Sequence, residues 1–168
     1  GIGEWTILHE FSGGGEDGLY PHGDLGLLPG TPDSLRGTTR EGGDGNWGTV
    51  YRLGVDGSGF ELLHEFAGPP GDGGFPIAGL SCDVSANCYG TATAGGENGS
   101  GVLFHVNATG STYQLLHEFT VASDDGWEIE GGPVLDGSGG LLGTTRSGGS
   151  ERHEGTLYRI AVNGSGFD

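Results

Sequence analysis

The chain has 168 residues, with 23 acidic side chains against six arginines and no lysine, and its formal net charge is −17. This charge argues against a nucleic-acid partner, because phosphate binding depends on clustered basic side chains. No stretch approaches the roughly 18 apolar residues of a spanning helix, so no membrane span is expected.

One five-residue segment occurs three times and sets the period of the chain. The copies, called here the first, second and third His-Glu motifs, are Ile7–Phe11, Leu62–Phe66 and Leu115–Phe119. They begin 55 and then 53 residues apart. A period of this size is typical of stacked supersecondary units. We therefore expect three repeats, over residues 5–61, 62–114 and 115–168.

Each repeat reads as four short strands separated by glycine-rich turns. In the first repeat the expected strands are Trp5–Phe11, a segment around Gly23–Leu27, Leu35–Thr39 and Thr49–Leu53. The 40 glycines fall mainly at the turns, and no segment carries an apolar stripe at helical spacing. The pattern predicts an all-β chain with almost no helix. Four strands in a repeat of about 53 residues favour a propeller-type array of three four-stranded units.

Several motifs recur in register with the His-Glu motif. They are a Gly-Thr-Thr step at 37–39 and 143–145, a Gly-Gly pair at 42–43, 95–96 and 148–149, and the strand 48–53 with its counterparts 101–106 and 155–160. Together they resemble the Gloeo/Verruco (GloVer) tandem repeat, and the resemblance spans essentially the whole chain. It implies a propeller-like β architecture in an exported protein. It implies no catalytic residues.

Two cysteines occur in the second repeat only. Cys82 and Cys88 flank a five-residue turn, a spacing that can satisfy disulfide geometry across a hairpin. A zinc site would need further ligands, which no nearby histidine offers. We expect a disulfide and hence an extracellular or cell-surface location. Asn98, Asn107 and Asn163 begin glycosylation sequons beside predicted turns, where an acceptor must lie.

The histidines of the three motifs raise the question of a metal site. His9, His64 and His117 could converge on one ion, but strict repetition is what a structural role predicts, so no metal or other cofactor is expected. Trp47 and Trp127 depart from the repeat pattern and are candidates for stacking on sugar rings. The alternative for both is a wedge between packed units, a common place for a large aromatic side chain.

The two ends of the sequence stand at the same phase of the repeat, since Trp5 and Phe167 both correspond to Phe60. Three units alone would leave open strand edges, which template pairing with another chain. The expected partners are copies of the chain, joined head to tail with Trp5 and Phe167 at the contact, or further repeats of a longer chain. The expected function is a non-enzymatic, extracellular structural or adhesive protein, glycosylated and assembled into a fibre or ring. The alternatives are a glycan-binding module and a secreted carbohydrate-active enzyme.

Overall fold

A computed structural model describes residues 5–28, 31–121, 125–150 and 154–167, without the side chains of 31 and 32. These residues form strands and irregular segments but no helix, so the all-β prediction is confirmed. The strands are β1 Gly18–Leu28, β2 Thr31–Gly42, β3 Thr49–Gly54, β4 Glu61–Glu65, β5 Gly73–Gly74, β6 Ser81–Cys82, β7 Cys88–Ala92, β8 Ala94–Gly95, β9 Val102–Val106, β10 Tyr113–Glu118, β11 Gly126–Trp127, β12 Val134–Leu135, β13 Gly140–Thr145, β14 Ser147–Gly148 and β15 Thr156–Ala161.

The strands build three antiparallel sheets that follow one another along the chain. The first sheet has the order β1-β2-β3-β4, the second β6-β7-β9-β10, and the third β12-β13-β15. Two small ribbons, β5 with β8 and β11 with β14, extend the second and third repeats. Closure of such sheets into a propeller remains a prediction.

The sheets do not coincide with the sequence repeats, because each complete sheet borrows its last strand from the next repeat. β4 belongs to the second His-Glu motif but pairs with β3, placing Glu65 opposite Thr49 and His64 opposite Val50. β10 contains most of the third motif and pairs with β9 in the same way, with Glu118 opposite Val102. The sheets are therefore displaced by one strand relative to the sequence repeats, and this displacement is called the stagger. The strand that completes one sheet runs on directly into the following sheet.

The expected strand at Trp5–Phe11 was wrong, since residues 5–13 form no strand. The stagger supplies the reason. The second and third motifs pair with the last strand of the preceding repeat, and no preceding sheet lies within the described residues to receive the first motif. Its side chains still pack on the first sheet, with the Phe11 ring 5.2 Å from that of Tyr51.

Two apolar cores lie between the three sheets. Alternation along β9 divides its side chains between them: Val102 and Phe104 join Val50 and Phe66 in the first core, while Leu103 faces the second. The main buried side chains of the second core are Leu103, Leu116, Phe119, Ile129, Leu141, Tyr158 and Ile160. Strand β9 therefore contributes side chains to both cores.

Side-chain hydrogen bonds from β2 and β7 also connect each sheet to a loop of the next repeat. Thr38 Oγ1 on β2 donates to the Ala78 carbonyl at 3.2 Å, and its counterpart Thr91 Oγ1 on β7 donates to the Gly131 carbonyl at 3.0 Å. Both threonines are buried. The second and third repeats are therefore held to their predecessors at this side as well as by the His-Glu motifs. Within the described residues no helix long and apolar enough to span a bilayer is found.

Candidate functional site

The histidine of each His-Glu motif lies beside an aspartate eight residues further along the chain. The Nε2–carboxylate distances are 3.1 Å for His9–Asp17, 3.1 Å for His64–Asp72 and 3.1 Å for His117–Asp125. All six side chains are largely shielded from solvent. The same polar pair therefore recurs with the same geometry in every repeat.

Each of these aspartates also fixes the loop that follows the motif. In the second repeat, Asp72 Oδ2 accepts a hydrogen bond from the Ala67 N–H at 2.8 Å, and Oδ1 accepts one from the Gly73 N–H at 2.6 Å. The first and third repeats make the equivalent bonds through Asp17 and Asp125. A carboxylate that accepts several such donors is held in its charged form.

Two of these aspartates, Asp17 and Asp72, have a lowered pKa. Burial raises the pKa of Asp17, but the bonds from the Ser12 backbone, the His9 ring and the Gly18 backbone outweigh it and hold the pKa at about 2. Asp72 shows the same direction: burial raises its pKa, and its contacts with His64 and the Ala67 N–H lower it further than burial raises it. Both carboxylates are consequently charged at neutral pH.

An aromatic ring stacks on every one of the three histidines. The ring centroids lie 3.9 Å apart for His9–Phe60, 3.5 Å for His64–Tyr113 and 3.8 Å for His117–Phe167, with interplanar angles of 6°, 5° and 5°. Two positions after each histidine, a phenylalanine meets an aromatic ring of the next strand pair edge-on, as Phe66 meets Phe104 at 5.2 Å. In the second and third motifs the backbone therefore pairs with one sheet, while the His and Phe rings pack against the next sheet.

The glutamates of the second and third motifs accept hydrogen bonds from the backbone of the preceding repeat. Glu65 Oε2 accepts the Asp44 N–H at 2.8 Å, and Glu118 Oε2 accepts the Glu97 N–H at 2.6 Å. Asp44 and Glu97 each follow the Gly-Gly pair of the preceding repeat. The glutamate side chains thus contact the preceding repeat, whereas His64 and His117 contact aspartate and aromatic side chains of their own repeat. Among the described residues, no group of three or more His, Cys, Asp and Glu side chains is arranged to hold a metal ion.

The three His–Asp–aromatic clusters were only half anticipated from the sequence. The histidines were singled out, but their aspartate partners were not. The signal was present, because a spacing of eight residues between His and Asp recurs in all three repeats while the residues between them vary. Phe60 and Phe167 were recognised as equivalent positions of the repeat, but neither they nor Tyr113 were recognised as partners of the histidines.

The remaining predicted site residues lie apart from one another. Cys82 and Cys88 form a disulfide that closes the β6–β7 hairpin. Asn98 and Asn163 are exposed, whereas Asn107 is half buried and its Oδ1 accepts the Thr112 N–H at 3.2 Å. All three sequons lie in turns or loops, as expected.

The two tryptophans singled out for sugar stacking are both half buried. The Trp47 ring lies against Gly68 and Gly74 and sits 4.8 Å from the ring of Phe75, between loops of the first and second repeats. Trp127 is part of β11. Of the two residues expected at an assembly contact, Trp5 is 84% exposed, while Phe167 is half buried by its stacking on His117.

Comparison with known proteins places this architecture in a family. No curated protein matches the chain. Among solved structures, a chain of the "Crystal structure of Nidogen/Laminin Complex" is similar to it with a TM-score of 0.54 and 14% identity, over 91% of this chain and 47% of that chain. This protein thus spans about half of that neighbour, and the likeness concerns the fold alone. A family model described as the Gloeobacter/Verrucomicrobia repeat matches residues 1–168. The chain belongs to the Gloeobacter/Verrucomicrobia repeat family.

Proposed function

We propose that the protein is a non-enzymatic structural or adhesive repeat protein that works outside the cytoplasm. The observation that carries this proposal is the threefold recurrence of the His–Asp–aromatic cluster with almost identical distances. A catalytic centre gathers different groups in one place, whereas a structural contact repeats with the architecture. In the second and third copies the cluster connects the sheet that contains the histidine to the following sheet.

The extracytoplasmic part of the proposal rests on the disulfide. Cys82 and Cys88 are paired across a hairpin, and such bonds persist mainly in oxidising compartments. Exposed sequons at Asn98 and Asn163 support glycosylation there. The high negative charge keeps such a protein soluble and makes any assembly depend on specific contacts.

A structural role is favoured over glycan binding by the surroundings of Trp47. A sugar platform presents the face of an aromatic ring to solvent, but the Trp47 ring is packed against glycines and Phe75. Such packing supports the role of a wedge between repeats. In this proposal the protein acts through contacts with other proteins rather than by binding a polysaccharide.

Fractionation of the native source, combined with mass analysis, tests the proposal. We expect the protein in the exported or surface fraction, with Cys82 and Cys88 oxidised and with glycan on at least one sequon. Purified protein should give no signal on a glycan array and no hydrolysis of a polysaccharide panel. A cytoplasmic protein with two free thiols would contradict the location, and turnover of a polysaccharide would contradict the non-enzymatic role.

A further inference from the structure

The third sheet presents an apolar face whose counterparts in the other two sheets are buried. Val50 on β3, Leu103 on β9 and Leu157 on β15 occupy equivalent positions in their repeats. Val50 and Leu103 are 0% exposed, because the following sheet covers them, whereas Leu157 is 75% exposed. An apolar side chain that is exposed here but buried at the equivalent position of the other two sheets indicates an interaction surface.

Neighbouring positions on the third sheet repeat this contrast. Thr38 and Thr91 donate to a carbonyl of the next repeat, but their counterpart Thr144 is exposed. Val134, Leu142, Thr144 and Leu157 line an open cavity of about 400 Å³, and these four residues are called the tail face. The third sheet therefore exposes a hydrogen-bond donor and an apolar surface whose counterparts are covered in the other two sheets.

The opposite end of the chain has the complementary surface. The first His-Glu motif packs its rings on the first sheet, but its backbone forms no strand. Large apolar side chains remain exposed around it, and together they are called the head face: Ile7, Leu8, Tyr20, Leu25 and Leu27. In the second repeat the counterparts of Leu25 and Leu27, which are Leu80 and Cys82, pack on the first core.

We propose that the tail face of one copy of this chain binds the head face of a second copy, and that the first His-Glu motif of the second copy pairs with β15. This contact rests on the proposed structural function and gives it a partner. The internal junctions fix the register, because Glu65 lies opposite Thr49 and His64 opposite Val50. In the second copy Glu10 therefore lies opposite Thr156, His9 opposite Leu157, and Ile7 opposite Tyr158.

Two hydrogen bonds of the internal junctions recur at this contact. Thr144 Oγ1 donates to the Gly23 carbonyl of the second copy, as Thr38 donates to the Ala78 carbonyl. The Glu10 carboxylate of the second copy accepts the Ser150 N–H, as Glu65 accepts the Asp44 N–H.

The equivalence of Trp5 and Phe167 limits where the docked strand begins. Phe167 already stacks on His117, in the place that Tyr113 takes on His64. Trp5 of the second copy cannot enter the same place, so the paired segment begins at Ile7 and Trp5 lies beside Phe167.

A head-to-tail contact either closes into a ring or continues as a filament. Two copies bring six sheets together, and closed propellers typically have about four to eight. A ring of two copies uses both tail faces and both head faces and leaves neither of the two β15 edges unpaired. The contact therefore points to a two-copy ring.

A charge placed on the tail face tests the contact while leaving the monomer intact. Leu157→Glu acts on a side chain that is exposed in the single chain, so we expect an unchanged far-ultraviolet circular dichroism spectrum. Its melting temperature should equal that of the unmodified protein at concentrations low enough for the unmodified protein to be monomeric, because dimer formation itself raises the melting temperature. In sedimentation velocity the unmodified protein should be dimeric, and Leu157→Glu should raise the dissociation constant at least about tenfold. Val84→Glu, the same kind of change on an exposed turn outside both faces, is the matched control and should stay dimeric.

Cross-linking tests the register. Glu10→Cys protein mixed with Thr156→Cys protein should form a mixed disulfide under mild oxidation, and Val121→Cys mixed with Thr156→Cys should not. An unmodified protein that is monomeric at every concentration, or a Leu157→Glu protein that remains as dimeric as Val84→Glu, would overturn the contact. A dimer that gives no Glu10–Thr156 link would overturn the register. An exported, oxidised but monomeric protein would reject this contact and leave the proposed function standing.

Discussion

Replacing Asp72 with asparagine removes the charge at the centre of one His–Asp–aromatic cluster while keeping the size of the side chain. The aspartate accepts from the Ala67 N–H at 2.8 Å and the Gly73 N–H at 2.6 Å, and it lies 3.1 Å from the His64 ring nitrogen. Asparagine has one carbonyl oxygen for these two backbone donors. Its NH₂ group must face the other backbone N–H, which also donates.

The expected loss of stability follows from these contacts. A hydrogen bond to a charged group contributes about 1.5–3 kcal/mol, and a shielded donor left without an acceptor costs about 1–3 kcal/mol. Asp72→Asn loses one backbone bond and weakens the other, so we expect a destabilisation of about 2–4 kcal/mol. For a chain of this size that corresponds to a fall in melting temperature of roughly 4–16 °C.

Urea denaturation followed by tryptophan fluorescence measures this difference. Asp33→Asn is the matched control, because it makes the same chemical change on an exposed side chain of β2 and should stay within about 0.5 kcal/mol of the unmodified protein. If Asp72→Asn also stayed within that range, the cluster would not hold the first and second sheets together, and the structural interpretation of the histidines would fail.

Three further predictions concern pH, turn geometry and the disulfide. Because the folded pKa of Asp17 is about 2 and lies below its ordinary value, its contribution is present above about pH 4 and is lost as the pH falls towards 2; denaturation curves at pH 7, 4 and 2.5 should show this, and equal stability at all three would contradict it. Gly110→Ala should destabilise by more than about 2 kcal/mol, because φ is +73° and a Cβ would lie 2.3 Å from a backbone oxygen of the second His-Glu motif. Gly99→Ala, at φ +69° with nothing within 4 Å, isolates the backbone effect and should cost only about 1–2 kcal/mol in thermal melts; equal losses would show that the close approach is unimportant. Replacing Cys82 and Cys88 together by serine should lower stability by about 2 kcal/mol in urea, as expected for so short a loop, and an unchanged midpoint would contradict a stabilising disulfide.

The strand segments could be predicted because the sequence marks them twice, by period and by turn residues. Glycine-rich turns bound β2 and β3 in the first repeat, and the same bounds recur in the other two. The assignment of strands to sheets could not be predicted in this way. A periodic sequence looks the same wherever the repeat is cut, so the stagger that places β4 beside β3 leaves no mark on the period.

Residues that occur in a single copy were also beyond the pattern. Arg36 is 3% exposed, and its Nη2 donates to the Ala108 carbonyl at 3.2 Å, which joins the first sheet to a turn of the second repeat. Its counterparts in the other repeats are Tyr89 and Leu142. Nothing in the period distinguishes a buried arginine from an exposed one, because burial depends on how two repeats meet in space.

Amide hydrogen exchange of the unmodified protein tests the central claim most directly, because all three His-Glu motifs can be compared in one sample. At low concentration the amides of residues 63–65 and 115–118, which lie in β4 and β10, should be protected. Those of residues 7–10 should exchange freely. At high concentration residues 7–10 and the strand β15 should become protected together, since the first motif then pairs with β15 of another copy. Residues 7–10 that stay unprotected at every concentration would contradict the contact between copies. Residues 63–65 that exchange as fast as residues 7–10 would contradict the staggered pairing of β4 with β3.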